Sequence, residues 1–193
     1  KIQDEGFLNC LTLNYITLLS NITSVGERAF EGCSNLIKVT FSDSITSIGK
    51  KAFLNCTKLT SISIPGSVKK ISEDCFSGCT NLKTVMLLNG IETIEKRVFY
   101  NCRSLTDVTL SLTITSIDEE AFFSCGALVN LTLPEGITYL GRKAFYDCEK
   151  LASINIPETL TKIGTHAFYN CSLLKSIILP TSLITMESEV FFN

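Results

Sequence analysis

Leu59-Thr60-Ser61-Ile62-Ser63-Ile64-Pro65-Gly66-Ser67-Val68-Lys69-Lys70-Ile71-Ser72-Glu73-Asp74-Cys75-Phe76-Ser77-Gly78-Cys79 contains the elements of the fold in a single pass. Ile62 and Ile64 alternate with serine, the period of a short strand with one buried face. Pro65 then ends the strand, because it presets a turn dihedral and has no N–H to give a ladder. Val68 and Ile71 form a second apolar pair after the turn, and Phe76 and Cys79 close the unit.

Outward from this stretch the same wording recurs every 23 residues, with no insertion or deletion. Cys10, Cys33, Cys56, Cys79, Cys102, Cys125, Cys148 and Cys171 mark it, and only Cys75 is off the grid. Three residues before each stands a phenylalanine, from Phe7 to Phe168, with Phe191 continuing the column. Three residues after each stands a leucine, from Leu13 to Leu174. Such a period belongs to a stacked repeat, in which no unit buries its apolar edge alone. Neighbours stacked at about 4.8 Å per strand close the core and extend a parallel sheet. The expected architecture over 1–193 is a curved α/β repeat solenoid of about eight units. One face carries the parallel sheet; the other carries short strands, turns and helical turns, the last at the Ala-Phe-x-x-Cys segments. The chain opens inside a unit at Lys1-Ile2-Gln3, and the next cysteine falls one residue past its last, so a longer array is expected.

Composition narrows the function classes. Hydrophobic residues make up 45% of the chain, and the net charge of −2 comes with lysine and arginine spread along it. That gives no electrostatic footprint for nucleic acid. No apolar run approaches the roughly 18 residues of a membrane helix. Neither a nucleic-acid partner nor membrane insertion is expected.

The consensus Leu-x-x-Ile-x-Ile-Pro-x-x-Val-x-x-Ile-Gly-x-x-Ala-Phe-x-x-Cys resembles the BspA-like leucine-rich repeats. Ser61-Ile62-Ser63-Ile64-Pro65 and Ile163-Gly164-Thr165-His166-Ala167-Phe168 are close examples, and the resemblance covers essentially the whole chain. The first repeat and Leu88-Asn89-Gly90 lack the proline, and Ser72, Glu95, Asp118 and Glu187 replace the glycine. The resemblance implies a leucine-rich-repeat array in a surface or secreted protein of bacteria or mucosal protozoa. It also implies adhesion to host matrix proteins or to other microbes, hence a protein ligand, with the chain a monomer or in weak lateral association. An intracellular interaction scaffold and a structural spacer without its own ligand are the alternatives.

Residue types that suggest chemistry have repeat-based explanations. A column of parallel cysteines points to free, buried, inert thiols, and Cys75 with Cys79 has no zinc spacing. The only histidine, His166, shares its column with Glu5, Arg28, Lys51, Asp74, Arg97, Glu120, Lys143 and Glu189, which reads as solvent-facing. Without a second histidine, the usual triads and histidine metal sites are absent. No catalytic, cofactor-binding or metal residue is expected, and the chain is not read as an enzyme. Asn21, Asn55, Asn130 and Asn170 sit in Asn-x-Ser/Thr sequons, two of them written by the repeat itself.

Three surface patterns remain. The dyads Lys50-Lys51, Glu73-Asp74, Lys96-Arg97, Glu119-Glu120 and Arg142-Lys143 alternate in sign coil by coil, which predicts a ladder of ion pairs that sets register. Outward positions of the main strand are rich in serine and threonine and nearly lack the aromatic and arginine anchors of interfaces. The column after the core phenylalanine holds Leu8 and Leu54, then Tyr100, Phe123, Tyr146, Tyr169 and Phe192. These five aromatics are the candidate partner-binding stripe, or else an outer core layer over the helical turns.

Overall fold

The computed structural model describes residues 1–192, and each repeat forms one coil of a parallel β-solenoid. On the main face lie β1 (Tyr15–Leu18), β3 (Lys38–Phe41), β5 (Ser61–Ile64), β7 (Thr84–Leu87), β9 (Asp107–Thr109), β11 (Asn130–Leu131) and β13 (Ser153–Ile154). Between them in the chain come the two-residue strands β2 (Ser24–Val25), β4 (Ser47–Ile48), β6 (Lys70–Ile71), β8 (Thr93–Ile94), β10 (Ser116–Ile117) and β12 (Tyr139–Leu140), and after them β14 (Lys162–Ile163) and β15 (Thr185–Met186). Pairing is parallel at the repeat offset, as in Tyr15 with Lys38, Ser61 with Thr84 and Ser116 with Tyr139. The main sheet is β1-β3-β5-β7-β9, with β11-β13 as a separate pair; the second sheet runs from β6 through β8, β10, β12 and β14 to β15.

The inner side of each coil is apolar, and the phenylalanines form its axis. Their rings stack from Phe7 to Phe191, with centroid spacings between 5.0 Å for Phe7–Phe30 and 5.8 Å for Phe76–Phe99. Burying each such side chain contributes about 1.5–3 kcal/mol.

The Ala-Phe-x-x-Cys segment is not a helical turn, and no helix occurs among the described residues. Two residues per coil have positive φ, for example Glu5 (56°) with Asn9 (55°), Lys51 (57°) with Asn55 (59°), and His166 (57°) with Asn170 (55°). The left-handed conformation costs an L residue about 1–2 kcal/mol, and a helix cannot propagate through it. Hydrogen bonds between coils compensate. The N–H groups of Glu5, Phe7 and Asn9 donate to the carbonyls of Glu27, Ala29 and Glu31, each at 2.8 Å. Asn9, Gly32, Asn55 and Gly78 occupy the second of these positions, residue types suited to that conformation.

Glycine at the Gly49 and Gly141 column serves close approach. A Cβ on Gly49 would lie 2.6 Å from the Glu27 nitrogen, and one on Gly141 would lie 2.5 Å from the Glu119 nitrogen. Where a glutamate replaces the glycine, its carboxylate takes over the neighbouring amide. The Thr165 N–H donates to Glu187 at 2.9 Å, the Thr165 hydroxyl at 2.8 Å, and Lys162 pairs with the same carboxylate at 2.8 Å. The Lys162 hydrogen bond, followed by those from Thr165, lowers the Glu187 pKa to about 2.

All nine cysteines are free. From Cys33 to Cys171 each column thiol donates to the phenylalanine carbonyl of the preceding coil, as Cys56 does to Phe30 at 3.2 Å and Cys102 to Phe76 at 3.3 Å. Burial pushes these thiols up, Cys171 to about 12, and Cys79 and Cys125 well above the ordinary value. A buried thiol of raised pKa is a poor nucleophile. Mass spectrometry after iodoacetamide treatment of the native protein is expected to find no adduct except at half-buried Cys10, and all nine after unfolding. Several native adducts would contradict the inert column.

Candidate functional site

Tyr100, Phe123, Tyr146, Tyr169 and Phe192 each follow a core phenylalanine. Because that neighbour points inward, these side chains project to the outside of the turn. They form one stack, with centroid spacings of 4.8, 4.8, 4.6 and 5.3 Å in chain order. The first four are half-buried, and Phe192 is 54% exposed at the end of the stack. Ring faces within the stripe are therefore occupied by neighbouring rings. Ring edges and the phenolic hydroxyls of Tyr100, Tyr146 and Tyr169 are what the stripe offers a partner. A lysine reinforces it, since the Lys143 ammonium lies 5.2 Å from the Tyr146 ring centre, a cation–π distance.

Beside the stripe runs the charge ladder. Lys50 pairs with Glu73 at 2.7 Å, Arg97 with Glu73 at 3.2 Å and Asp74 at 2.8 Å, and Lys96 with Glu119 at 3.2 Å. Arg142 joins Glu119 and Glu120 below them. The Lys50 hydrogen bond is the main reason the Glu73 carboxyl sits below its usual range. The column is not uniformly solvent-facing, however: Asp74 is only 5% exposed, covered by Arg97. His166 is half-buried, 2.6 Å from the Glu189 carboxylate and edge-on to Tyr169 at 5.4 Å. Among the described residues no group of three or more His, Cys, Asp or Glu is placed to hold a metal.

The main sheet holds a feature that residue types alone did not reveal. The ladder parts between β9 and β11. A crevice of about 450 Å³ opens there, lined by Val108, Leu110, Leu112, Leu133 and Pro134. The available signal was Leu112, an apolar residue in a turn column that elsewhere reads Ser20, Asp43, Gly66, Asn89, Glu135, Glu158 and Thr181.

With this geometry established, similarity to known proteins becomes informative. The BspA type leucine rich repeat region matches in six copies, over residues 1–125 and 92–193. A leucine rich cell surface protein of Faecalibacterium prausnitzii is 28% identical, with a TM-score of 0.62 over 91% of this chain and 62% of its own. A leucine-rich repeat protein of Bacteroides ovatus is 25% identical, with a TM-score of 0.65 over 91% of this chain and 58% of its own. The T. pallidum leucine rich repeat protein is 27% identical, with a TM-score of 0.66 over 88% of this chain and 71% of its own. The chain thus spans less than two thirds of the first two of these structures. No curated protein is similar to it at a significant level. The periodic columns, the parallel solenoid and the six matched copies agree, and the chain belongs to the BspA-type leucine-rich-repeat family.

Proposed function

We propose that this chain is a protein-binding, adhesive module of a cell-surface or secreted leucine-rich-repeat protein, and that it engages its ligand along Tyr100, Phe123, Tyr146, Tyr169 and Phe192. The observation that carries the reading is the unbroken stack of five rings whose edges face outward. A preformed aromatic row presents contact area at little entropic cost, because its side chains are already ordered. Support for the location comes from the Faecalibacterium prausnitzii relative, which is described as a cell surface protein. An intracellular scaffold is the second reading, favoured by the nine free thiols. Their weight is small, since seven of the nine, from Cys33 to Cys171 in the column, are committed to a carbonyl of the preceding coil.

Beads coated with the protein and applied to immobilised matrix proteins test the stripe. Tyr146→Ala with Tyr169→Ala is expected to reduce retention by about tenfold or more, while stability falls by about 1–3 kcal/mol from lost stacking and half-burial. Retention unchanged in a folded double variant would make the stripe a packing layer and remove it as the ligand surface.

A further inference from the structure

The main sheet is continuous from β1 to β9 and then stops, while the second sheet runs unbroken through the same coils from β8 to β12. The coils are therefore hydrogen-bonded as strands at the back, while at the front β9 and β11 are neighbours without a ladder. In the intact stretch the Lys83 N–H donates to the Thr60 carbonyl at 2.8 Å, and the Thr106 N–H to the Lys83 carbonyl at 3.0 Å. Beyond the gap the Ala152 N–H donates to the Val129 carbonyl at 2.8 Å. The equivalent rung between Val129 and Thr106 is missing among the described residues.

Side chains register the same parting. Val108 is half-buried, although Val39, Ile62, Val85 and Leu131 in its column are buried. Leu112 is 71% exposed at the rim, and Val129 is 41% exposed. The far wall is braced by Asn155, whose carboxamide donates to the Leu133 carbonyl at 3.0 Å and accepts the Leu133 N–H at 2.7 Å. Asn155 thereby supplies to Leu133 the bonds a neighbouring strand would give. Charge around it has one sign. Glu135 stands at the rim without an ion pair among the described residues, and Asp107 borders the adjoining depression with only the Thr106 hydroxyl as partner, at 2.7 Å. Among the described residues no lysine or arginine lines either depression.

We propose that this crevice receives an apolar side chain from an extended, basic segment of a partner protein. Five apolar walls give the side chain its environment. The unbonded strand edges on either side suit extended backbone, and the uncompensated carboxylates select a flanking lysine or arginine. This surface is separate from the aromatic stripe, which lies in the turn segment, so either one can fail without the other.

Titration of the ¹⁵N-labelled protein with the synthetic peptide acetyl-Lys-Leu-Val-Leu-Lys-amide, followed by amide chemical shifts, tests the proposal. Shifts are expected at Asp107–Thr109, at Leu112 and at residues 129–132, and the glutamate-flanked counterpart should bind about tenfold more weakly. Leu112→Ser is expected to weaken the lysine peptide by about tenfold, and Glu135→Lys to reverse the preference between the two peptides. Both side chains are exposed, so unchanged melting curves establish that either loss is local. Equal binding of the two peptides, shifts confined to another face, or no shift up to about 5 mM peptide would overturn it.

Discussion

Phe99→Ala is expected to lower stability in urea melts by about 3–5 kcal/mol, the range for an aromatic removed from a packed core. Phe99 is fully buried, with Phe76 at 5.8 Å on one side and Phe122 at 5.2 Å on the other. Truncation removes burial and both stacked contacts together. The surroundings have little means of collapsing into the space, because each adjacent coil is fixed by the Phe99-to-Ala121 and Phe76-to-Val98 hydrogen bonds, at 2.8 and 2.9 Å. Phe7→Ala supplies the contrast, since Phe7 is only half-buried and stacks only on Phe30. Its loss should be well under half that of Phe99. A Phe99→Ala loss below about 1 kcal/mol would remove the ladder from its place as the structural axis.

Reversing Lys96 and Arg97 together to glutamate is the second large effect, about 2–4 kcal/mol by the same melts. The substitution places two carboxylates between Glu73-Asp74 and Glu119-Glu120, leaving three like-charged dyads in succession. Salt response separates its two components. The half-exposed Lys96–Glu119 part is largely screened, whereas Asp74 is buried and loses its Arg97 partner at any ionic strength. About half of the loss should therefore persist at 1 M salt, where the Debye length is about 3 Å. Full rescue by salt would mean that Asp74 reaches solvent on its own, and an unchanged melt at low salt would discard the ladder.

How far residue types alone carried the fold differs from column to column. Ile62, Ile64, Phe76 and Cys79 are readable because eight coils repeat the same apolar choice, and averaging over copies removes the ambiguity of any single short run. The Ala-Phe-x-x-Cys segment misled. Alanine and phenylalanine at close spacing are compatible with a helical turn, and the decisive fact is the sign of φ at Lys51 and Asn55. The asparagine or glycine before six of the eight column cysteines carried that information in muted form, with Ser124 and Asp147 in the other two. Asp74 shows a different limit. Its column holds nine charged or titratable residues, yet its burial depends on where the Arg97 side chain lies, one coil away. The stripe was legible as a column, but its self-stacking was not, because ring orientation is set by the neighbouring coils. The main-sheet crevice was least legible, since a missing rung leaves no mark on the sequence except Leu112.

The left-handed turns give the array a direction. In each coil the N–H groups of three alternate residues, such as Arg28, Phe30 and Gly32, donate to the following coil, at 2.9, 2.8 and 2.8 Å. Along the row of short strands the bonds run both ways, Ile2 donating to Ser24 and Gly26 back to Ile2. Peptide dipoles in the turns thus add along the solenoid axis while those in the sheet largely cancel. Any run of such coils exposes carbonyls at one terminus and amides at the other. Along this edge two runs can be joined head to tail with every group satisfied, whereas joining like ends sets acceptor against acceptor or donor against donor.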